Sequence, residues 1–468
     1  MVFSSTIFLF VFLPLVWLIN RFLPRQLSNY FLCLASLLFY AWGEPIYVVL
    51  LILLALANFL LARWMDDARH KKPGLVCGIV CGIVLNIATL LVFKYADFAV
   101  ATLNRLPGVN MALPGILLPI GVSFFIFQAM SYLIDVYRGE AAVQKSFVKL
   151  LLYVSFFPQL IAGPIIYYHD IAAQIEERKI TSTATAQGIR RFIIGLAKKI
   201  LIADTLAVAV DTIFALEFAD VTMPLSWIAA ASFMLQLYFD FSGYSDMALG
   251  LARMFGFEYK ENFNYPYIAG SIQDFWHRWH ISLSTWFRDY VYIPLGGNRK
   301  GNGRTALNKI IVFCLTGLWH GAQWTFVVWG LIHGAFLLLE QYLRPYIRLP
   351  KKLRVLAHIY TLLVVLFAFV LFRAESFGQA LVFIQNMLAG SMGLGIEARL
   401  ITPLFITAFV AAIVGSLPWL PALKHRLRGQ AAEKFFSPAS YMLSLVLLLL
   451  CMLSLSADTY NAFIYFRF

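Results

Sequence analysis

The amino-acid sequence predicts an all-α, polytopic integral membrane protein. Hydrophobic residues make up 61% of the chain and charged residues 13%, and the mean hydropathy is +0.77, whereas soluble domains carry about 25% charged residues. Apolar runs recur along the chain, and a helix needs about 20 apolar residues to cross a bilayer. The net charge of +13 comes from short basic clusters between these runs, which is typical of cytoplasmic loops and not of a nucleic-acid-binding groove. The composition therefore excludes an ordinary soluble domain.

The apolar runs predict about ten to eleven transmembrane helices, whose direction follows from lysine and arginine. Arg21 and Arg25 follow the first run and no basic residue precedes it, so we expect the N-terminus outside the cytoplasm. The basic stretch 424–434 precedes the last run, which places the C-terminus outside as well. No soluble domain, linker or repeat is visible in the sequence. The predicted spans are residues 3–20, 29–42, 46–62, 75–93, 115–135, 192–215, 224–250, 355–372, 401–420 and 439–456.

Three further segments are apolar but interrupted. Residues 147–168 contain two prolines and a glycine, which predicts a re-entrant or interfacial piece, because irregular backbone at membrane depth must be surrounded by protein or by a water-filled cavity. Residues 253–309 mix basic and aromatic side chains, as amphipathic helices at the cytoplasmic interface do. The runs 306–319 and 323–341 have their basic ends on the same side. They predict a broken, re-entrant hairpin.

Two histidine clusters are the strongest functional signal. His320 lies at the break of the predicted hairpin, inside the sequence Gly317–Gly321, and His277 and His280 lie about one helical hairpin upstream. An ionisable residue at membrane depth is a functional candidate by default, since it is costly to keep there. We expect His280 and His320 to meet across the helix bundle, where they would transfer protons. Burial between Trp319 and Trp324 should keep His320 neutral.

The cysteines and glycines do not predict a metal or nucleotide site. All five cysteines lie inside apolar segments, without the spacing of zinc ligands or of a disulfide framework. Cys77 and Cys81 share a helix face, but no third or fourth ligand is near them in sequence. The chain also lacks a glycine-rich loop of the kind that cradles phosphates. We therefore expect no bound metal.

The order of short motifs resembles that of the membrane-bound O-acyltransferase superfamily, and specifically its bacterial alginate O-acetyltransferase branch. The resemblance covers nearly the whole chain. Two departures are Thr316, where a glycine is usual, and Ala462, where a proline is common. The matching pieces are Phe3–Ser5, Phe8–Phe10, Leu37–Trp42, Pro119–Phe125, Ser131–Tyr137, Phe157–Ile165, Asp240–Ala248, Asp274–Ser284, Arg288–Tyr290, Pro294–Arg299, Gly317–Gly321 and Trp329–Gly334.

The resemblance implies one membrane domain over residues 1–468, with a catalytic core at about 115–345. It implies that His320 corresponds to the superfamily's near-invariant histidine and His280 to its second signature position. A histidine can take the hydroxyl proton when an acetyl group moves from a thioester to a hydroxyl. His280 would orient the donor or hydrogen-bond the developing oxyanion. The implied donor is cytoplasmic acetyl-coenzyme A, whose phosphates would be attracted by Arg278, Arg288 and Arg299.

The resemblance also implies a location and a partner. The chain would lie in the bacterial inner membrane, among its lipids, with both termini in the periplasm. It would act with a periplasmic subunit resembling serine hydrolases of the SGNH type, through which acetyl groups reach a polysaccharide. Alginate or an alginate-like polymer is the first expectation, and cellulose or peptidoglycan is the alternative.

Other interpretations stay open. A transporter of polysaccharide or lipid-linked sugar would also be polytopic, but it would show paired broken helices in two related halves, and no such symmetry is visible. A non-catalytic membrane scaffold would not need a histidine at a hairpin tip. We expect His277 and His333 to be structural. The aspartates Asp240, Asp246, Asp274 and Asp289 should pair with Arg253, Arg278 and Arg288 rather than orient the histidines.

Overall fold

The computed structural model describes residues 1–68, 72–343, 346, 350, 353–392, 397–426 and 430–457. Helices account for 77% of the residues that the structure describes, with no strand among them, and the all-α class is confirmed. Arg428 of the basic stretch 424–434 and the C-terminal tail with Ala462 lie outside the described residues. The positions of the two termini across the membrane therefore stay predictions.

The first half of the chain forms helices that are mostly separated by short turns. π-Helical turns at Phe8–Phe12, Leu91–Tyr95 and Lys198–Ala203 continue neighbouring α-helices, and a 3₁₀ turn covers Phe218–Asp220. The helices are α1 (Leu13–Phe22), α2 (Arg25–Ala41), α3 (Tyr47–Asp67), α4 (Lys72–Leu90), α5 (Ala96–Leu103), α6 (Val122–Arg138), α7 (Phe147–Ser155), α8 (Phe157–Leu160), α9 (Tyr168–Glu176), α10 (Ser182–Ala197) and α11 (Asp204–Phe214).

The second half contains the two histidine clusters. A 3₁₀ turn covers Pro266–Ile268 and a π-helical turn covers Arg288–Tyr292. The helices are α12 (Met223–Met254), α13 (Ile272–Arg278), α14 (Ile281–Phe287), α15 (Gly301–His320), α16 (Trp324–Leu343), α17 (Arg354–Arg373), α18 (Phe377–Ala389), α19 (Glu397–Leu400), α20 (Pro403–Gly415), α21 (Trp419–Arg426) and α22 (Gln430–Ser456).

Five helices of the described residues are long and apolar enough to cross a membrane, and three shorter helices are also apolar. The polytopic membrane class is thus confirmed, while the number of ten to eleven spans stays a prediction. The five are Tyr47–Asp67, Pro73–Leu103, Trp324–Leu343, Arg354–Arg373 and Pro438–Ser456, and the shorter ones are Phe8–Phe22, Phe377–Ala389 and Pro403–Gly415.

One predicted span begins later than expected. The apolar run 115–135 was predicted as one helix, but the helix begins at Val122 and the residues before it are not helical. Pro119 disfavours helical backbone at the residue that precedes it. Gly121 has a φ of +79°, and a Cβ atom there would lie 2.5 Å from the carbonyl oxygen of Leu160. Apolar composition alone does not reveal this start.

The segment 147–168 is broken, as predicted. α7 ends at Ser155, α8 has only four residues, and the chain then runs without helix to α9. Residues 150–168 are buried, so their irregular backbone needs internal partners. The Tyr153 hydroxyl donates to the carbonyl of Ile166 at 2.7 Å, and the Gln159 amide donates to the carbonyl of Tyr153 at 2.5 Å. Side chains thus replace part of the missing helical hydrogen bonding.

The chain divides into two compact units, each discontinuous in sequence. The first comprises Met1–Phe192 and Met247–Lys260, and the second comprises Ile193–Asp246 and Glu261–Phe468. In the first unit, Phe8, Phe39 and Phe157 form a buried aromatic cluster with centroid distances of 5.6–6.2 Å. In the second unit, the core includes Trp279, Trp329 and Phe372. One domain over residues 1–468 stays a prediction.

The second unit contains a helix that was not expected from the sequence. α18 has only 13 residues, fewer than a membrane span needs. Ser376 caps its N-terminus, since its side chain accepts a hydrogen bond from the backbone N–H of Gln379. Phe383 stacks on Phe214 with ring centroids 4.2 Å apart. Tertiary packing therefore stabilises a helix whose length gave no signal.

Candidate active site

α15 and α16 form an antiparallel hairpin with unusually close backbones. A Cβ atom on Gly317 would lie 2.2 Å from the carbonyl oxygen of Phe326, and one on Gly330 would lie 2.1 Å from that of Phe313. Only glycine permits such an approach. The helices are interrupted between His320 and Trp324, as the sequence predicted. The hairpin therefore fixes the end of α15, and with it the first candidate histidine.

His320 is the last residue of α15 and is only 2% exposed. Its Nδ1 lies 2.7 Å from the backbone carbonyl oxygen of Thr316. A carbonyl oxygen only accepts hydrogen bonds, so Nδ1 carries the hydrogen and Nε2 of the neutral ring carries the lone pair. The backbone of α15 thus sets the tautomer, and it presents Nε2 as the basic nitrogen.

Aromatic rings surround His320. The ring centroids of Trp319, Trp329 and Phe372 lie 5.0, 4.9 and 5.7 Å from that of His320. Trp319 was expected to bury it, but Trp324, the other expected neighbour, is 39% exposed. Trp329 reaches His320 from the facing helix because the hairpin is antiparallel. The imidazole therefore lies in a buried environment of low polarity.

His280 lies at the junction of α13 and α14 and is fully buried. Its φ of +44° is one of two positive values among the non-glycine residues that the structure describes. Such backbone is uncommon outside glycine, and it is concentrated at functional sites. Its Nδ1 is 3.3 Å from Oδ1 of Asn262. His280 is outside the five candidate spans, and burial lowers the pKa of its imidazole well below the usual value, with a smaller contribution from His320.

The structure brings His280 and His320 together, as expected from the sequence. Their ring centroids are 6.3 Å apart and their planes are nearly perpendicular. Trp319 contacts both rings, with centroid distances of 5.6 Å to His280 and 5.0 Å to His320. Two imidazoles in one buried, aromatic site can accept and pass on a proton.

The other two histidines differ from this pair. His333 is fully buried on α16, and its Nδ1 accepts a hydrogen bond from the Trp276 indole at 3.3 Å. His277 is exposed. His333 stacks almost parallel to Phe275, at a centroid distance of 6.2 Å. A packed, hydrogen-bonded His333 fits the structural role predicted for it.

The four candidate aspartates all form ion pairs. Asp274 pairs with Arg278 at 2.8 Å and Asp289 pairs with Arg288 at 2.7 Å, as predicted. Asp240 and Asp246 were also expected to pair with arginines, but they contact lysines: Lys199 lies 3.0 Å from Asp240, and Lys198 lies 2.7 Å from Asp246. The sequence could not reveal these partners, because α12 meets the chain near residue 198 only in the fold.

A cavity of about 1170 Å³ lies at the opposite end of the hairpin from His320. Arg288, Lys309 and His277 give it positive or titratable groups, while Glu340 and Asp274 give it carboxylates. Both carboxylates are already engaged: Glu340 accepts from the backbone N–H groups of α13 at 2.6 and 3.1 Å, and Asp274 pairs with an arginine. Arg288 and Lys309 are thus the cationic side chains in the lining of the cavity, and Arg288 also pairs with Asp289.

Only one of the three arginines proposed to contact the donor lines this cavity. Arg288 does so, while Arg278 and Arg299 are not among the lining residues. Arg278 is held by Asp274, which does line the cavity. Among the described residues, no three His, Cys, Asp or Glu side chains are grouped to hold a metal ion.

Comparison with known proteins identifies the family. The model of the membrane-bound O-acyltransferase family matches residues 138–378, which include both central histidines. The chain belongs to the membrane-bound O-acyltransferase family. It is 39% identical to a probable alginate O-acetylase of Azotobacter vinelandii over the full length of both proteins. It is also 34% identical to a peptidoglycan O-acetyltransferase of Helicobacter pylori, over 83% of this chain and 80% of that protein.

Membership in the membrane-bound O-acyltransferase family makes this chain an acyltransferase. A more distant relative is a teichoic acid D-alanyltransferase of Bacillus subtilis, 30% identical over 55% of this chain and 69% of that protein. The family model matches residues 138–378, whereas the catalytic core was predicted at about 115–345. The matched region therefore begins later and ends later than the predicted core. The family region therefore includes α17, whose Phe372 packs on His320.

The sequence did not reveal the hydrogen-bond partners that fix the orientation and the tautomer of the two imidazoles. Asn262 lies in an aromatic loop and gave no signal of its own, and the contact of His320 is a backbone carbonyl, which any residue can supply. Thr316 was noticed only as a departure from the family pattern. Trp329 was recognised as part of a motif, although its contact with His320 depends on how α15 and α16 pack.

Proposed function

We propose that the protein is an O-acetyltransferase that moves acetyl groups from acetyl-coenzyme A toward the hydroxyl groups of an exopolysaccharide of the alginate type. The buried pair of His280 and His320, with ring centroids 6.3 Å apart, is the observation that carries the proposal. An alginate O-acetylase that aligns over the whole chain supports the polymer class.

His320 is the general base in this proposal. The attacking hydroxyl gives its proton to Nε2 while the new carbon–oxygen bond forms and the carbon–sulfur bond of the thioester breaks. The proton then passes to the departing thiolate, so the products are an O-acetyl ester and a free thiol. The hydrogen bond from Nδ1 to Thr316 supports this role, since it leaves Nε2 as the acceptor. A positioned base commonly contributes about 10²–10⁴-fold in rate.

The cavity beside Arg288 and Lys309 is the proposed site of the donor's phosphate-bearing end. Lys309 and His320 lie on the same helix, and the rise of an α-helix puts about 16 Å between them. A donor anchored at the cations could therefore extend its thiol-bearing arm along α15 toward the histidines. Arg278 and Arg299 would act at longer range by attracting the anionic donor.

The acceptor side of the reaction is also part of the proposal. We propose that the chain resides in the bacterial inner membrane, takes acetyl-coenzyme A from the cytoplasm, and delivers acetyl groups to a periplasmic subunit of the SGNH hydrolase type. That subunit would acetylate the polymer. Peptidoglycan is the second candidate polymer, because the Helicobacter pylori relative is a peptidoglycan O-acetyltransferase. Cellulose remains an alternative from the sequence alone.

Transfer from radiolabelled acetyl-coenzyme A in membranes tests the proposal. Membranes would contain the wild-type chain, His320→Ala, His280→Ala or His169→Ala at matched expression, together with the periplasmic subunit and alginate or peptidoglycan. His169→Ala is the control, because His169 is an exposed histidine that does not line the cavity.

We expect His320→Ala to lose at least about 100-fold in rate and His169→Ala to keep the wild-type rate. Loss in His280→Ala as well would indicate a shared site. Full activity of His320→Ala would overturn the assignment of the base. Label on peptidoglycan but not on alginate would replace the first polymer by the second.

A further inference from the structure

Asn262 is the residue that holds His280 in place. Its side chain is 1% exposed, and its Oδ1 accepts from the Ser282 backbone N–H at 3.0 Å and from the Ser282 hydroxyl at 2.9 Å. The same oxygen is 3.3 Å from Nδ1 of His280. The backbone carbonyl of Asn262 accepts from the N–H of Ile281 at 2.9 Å. One asparagine thus contacts three consecutive residues around the junction of α13 and α14.

These contacts settle which atom of the amide faces the histidine. A backbone N–H can only donate, so the Asn262 atom next to Ser282 N must be the oxygen and not the NH₂ group. His280 Nδ1 meets that same oxygen at 3.3 Å. The Ser282 hydroxyl is also 3.5 Å from Nδ1, but it donates its hydrogen to Asn262 at 2.9 Å, so Nδ1 carries a hydrogen. The neutral ring then has its lone pair on Nε2, which is buried without a hydrogen-bond partner among the described residues.

The backbone at His280 depends on the same asparagine. A φ of +44° is unfavourable for a histidine, and it persists only where the surroundings hold it. The hydrogen bonds from Ile281 and Ser282 to Asn262 fix the two residues that follow His280. Asn262 therefore determines both the direction and the tautomer of the ring.

We infer that Asn262 is a positioning residue that fixes His280 with its hydrogen on Nδ1, so that Nε2 is a second proton acceptor in the site. The inference rests on the proposed acetyl transfer. A ring of this tautomer does not donate a hydrogen bond from Nε2 to an oxyanion, which is the role that the family resemblance suggested. It can instead hold the proton that leaves the hydroxyl until the thiolate takes it.

Two substitutions of Asn262 separate this role from a general structural one. Asn262→Ala removes the acceptor that fixes the ring. Asn262→Asp keeps an oxygen in place, and the donors from His280 and Ser282 would stabilise its carboxylate, whose charge favours the imidazolium form of His280. The titratable group that acts on His280 from the helices packed around it is His320. The aromatic rings of Phe241, Phe263 and Trp319 also lie next to His280, and none of them titrates near neutral pH.

The experiment measures acetyl transfer by purified wild-type and variant protein between pH 5 and 9, with the periplasmic subunit and alginate present, and with kcat and the KM for acetyl-coenzyme A determined separately. Asn308→Ala is the matched control, because Asn308 is an equally buried asparagine whose amide bonds the carbonyl of Gly297 at 3.1 Å and not a histidine. Folding of each variant is checked by its elution as a single species in detergent.

We expect Asn262→Ala to lower kcat about 10–100-fold, as removal of a supporting residue does, with the KM for acetyl-coenzyme A within about twofold of wild type. For Asn262→Asp we expect the acid limb of the pH profile to move up by about one pH unit or more. Asn308→Ala should keep both the pH profile and kcat.

Unchanged kcat in Asn262→Ala, or an acid limb of Asn262→Asp that coincides with that of the wild type, would overturn the inference while acetyl transfer itself stands. If Asn262→Ala does not fold, the Asn262→Asp profile decides alone. A wild-type protein that transfers no acetyl group would instead overturn the proposed function, and the inference with it.

Discussion

The close contact of α15 and α16 predicts that a single methyl group will disturb the active site. In Gly330→Ala the new Cβ would lie 2.1 Å from the carbonyl oxygen of Phe313. Ordinary contact needs about 3.5 Å, so the helices must separate by about 1.4 Å at this point. His320 lies seven residues beyond Phe313 on the same helix, and it would move relative to His280.

A displacement of about 1 Å at a reacting group can cost about 10²-fold in rate. We therefore expect Gly330→Ala to lower the turnover of acetyl-coenzyme A about 100-fold. Overpacking should also lower the free energy of unfolding by about 1–3 kcal/mol. The assay is acetyl transfer per unit of folded protein, with folding judged by thermal unfolding in detergent.

Gly303→Ala is the control on the same helix, because nothing lies within 4 Å of a Cβ atom there. It should keep the wild-type rate. Equal rates for Gly330→Ala and Gly303→Ala would refute the reasoning, since they would mean that the spacing of the hairpin does not position His320.

Three further predictions concern charge, donor binding and hydrogen bonding. Lys199→Met removes the ammonium that lies 2.8 Å from Asp204 and 3.0 Å from Asp240, and because both carboxylates are buried we expect a loss of about 3–5 kcal/mol in unfolding free energy. Lys198→Met, whose ion pair is more exposed, should cost about 1 kcal/mol or less. Equal losses in the two variants would contradict this prediction. Arg288→Ala should raise the KM for acetyl-coenzyme A about tenfold at unchanged kcat, because a charged hydrogen bond is worth about 1.5–3 kcal/mol; an unchanged KM would remove the cavity as donor site. Trp276→Phe removes the indole N–H that donates to the buried Nδ1 of His333, so the free energy of unfolding should fall by about 1–3 kcal/mol. The loss should be larger than in Trp329→Phe, because the indole nitrogen of Trp329 has no hydrogen-bond partner among the described residues.

The fold class could be predicted from the sequence because helices that lie in a membrane require long apolar runs. An apolar run between basic clusters has few alternatives to a membrane helix, since every backbone polar group must be satisfied within the segment. Breaks were visible for a similar reason, because Pro158 and Gly163 interrupt helical hydrogen bonding wherever they occur. The start of α6 was missed, since the contact of Gly121 with Leu160 joins residues far apart in sequence.

The candidate site was predicted in part. A histidine between apolar runs is conspicuous in the sequence because an imidazole is costly to bury. His280 and His320 could therefore be selected as candidates, and the order of their segments predicted that they lie close together. The partners of Asp240 and Asp246 were predicted incorrectly, because any nearby arginine or lysine satisfies a carboxylate and only the packing of helices selects one. The role of Arg288 in lining the cavity could not be separated from that of Arg278 and Arg299.

The sequence by itself determined that this chain is a helical membrane protein of the O-acyltransferase family with two candidate histidines. It could do so because residue type and order encode hydrophobicity, helix breaks and chemistry. Only the tertiary structure decided what the histidines can do. The carbonyl of Thr316 and the amide oxygen of Asn262 put a hydrogen on each Nδ1, and a tautomer depends on which atoms the fold brings within hydrogen-bonding distance.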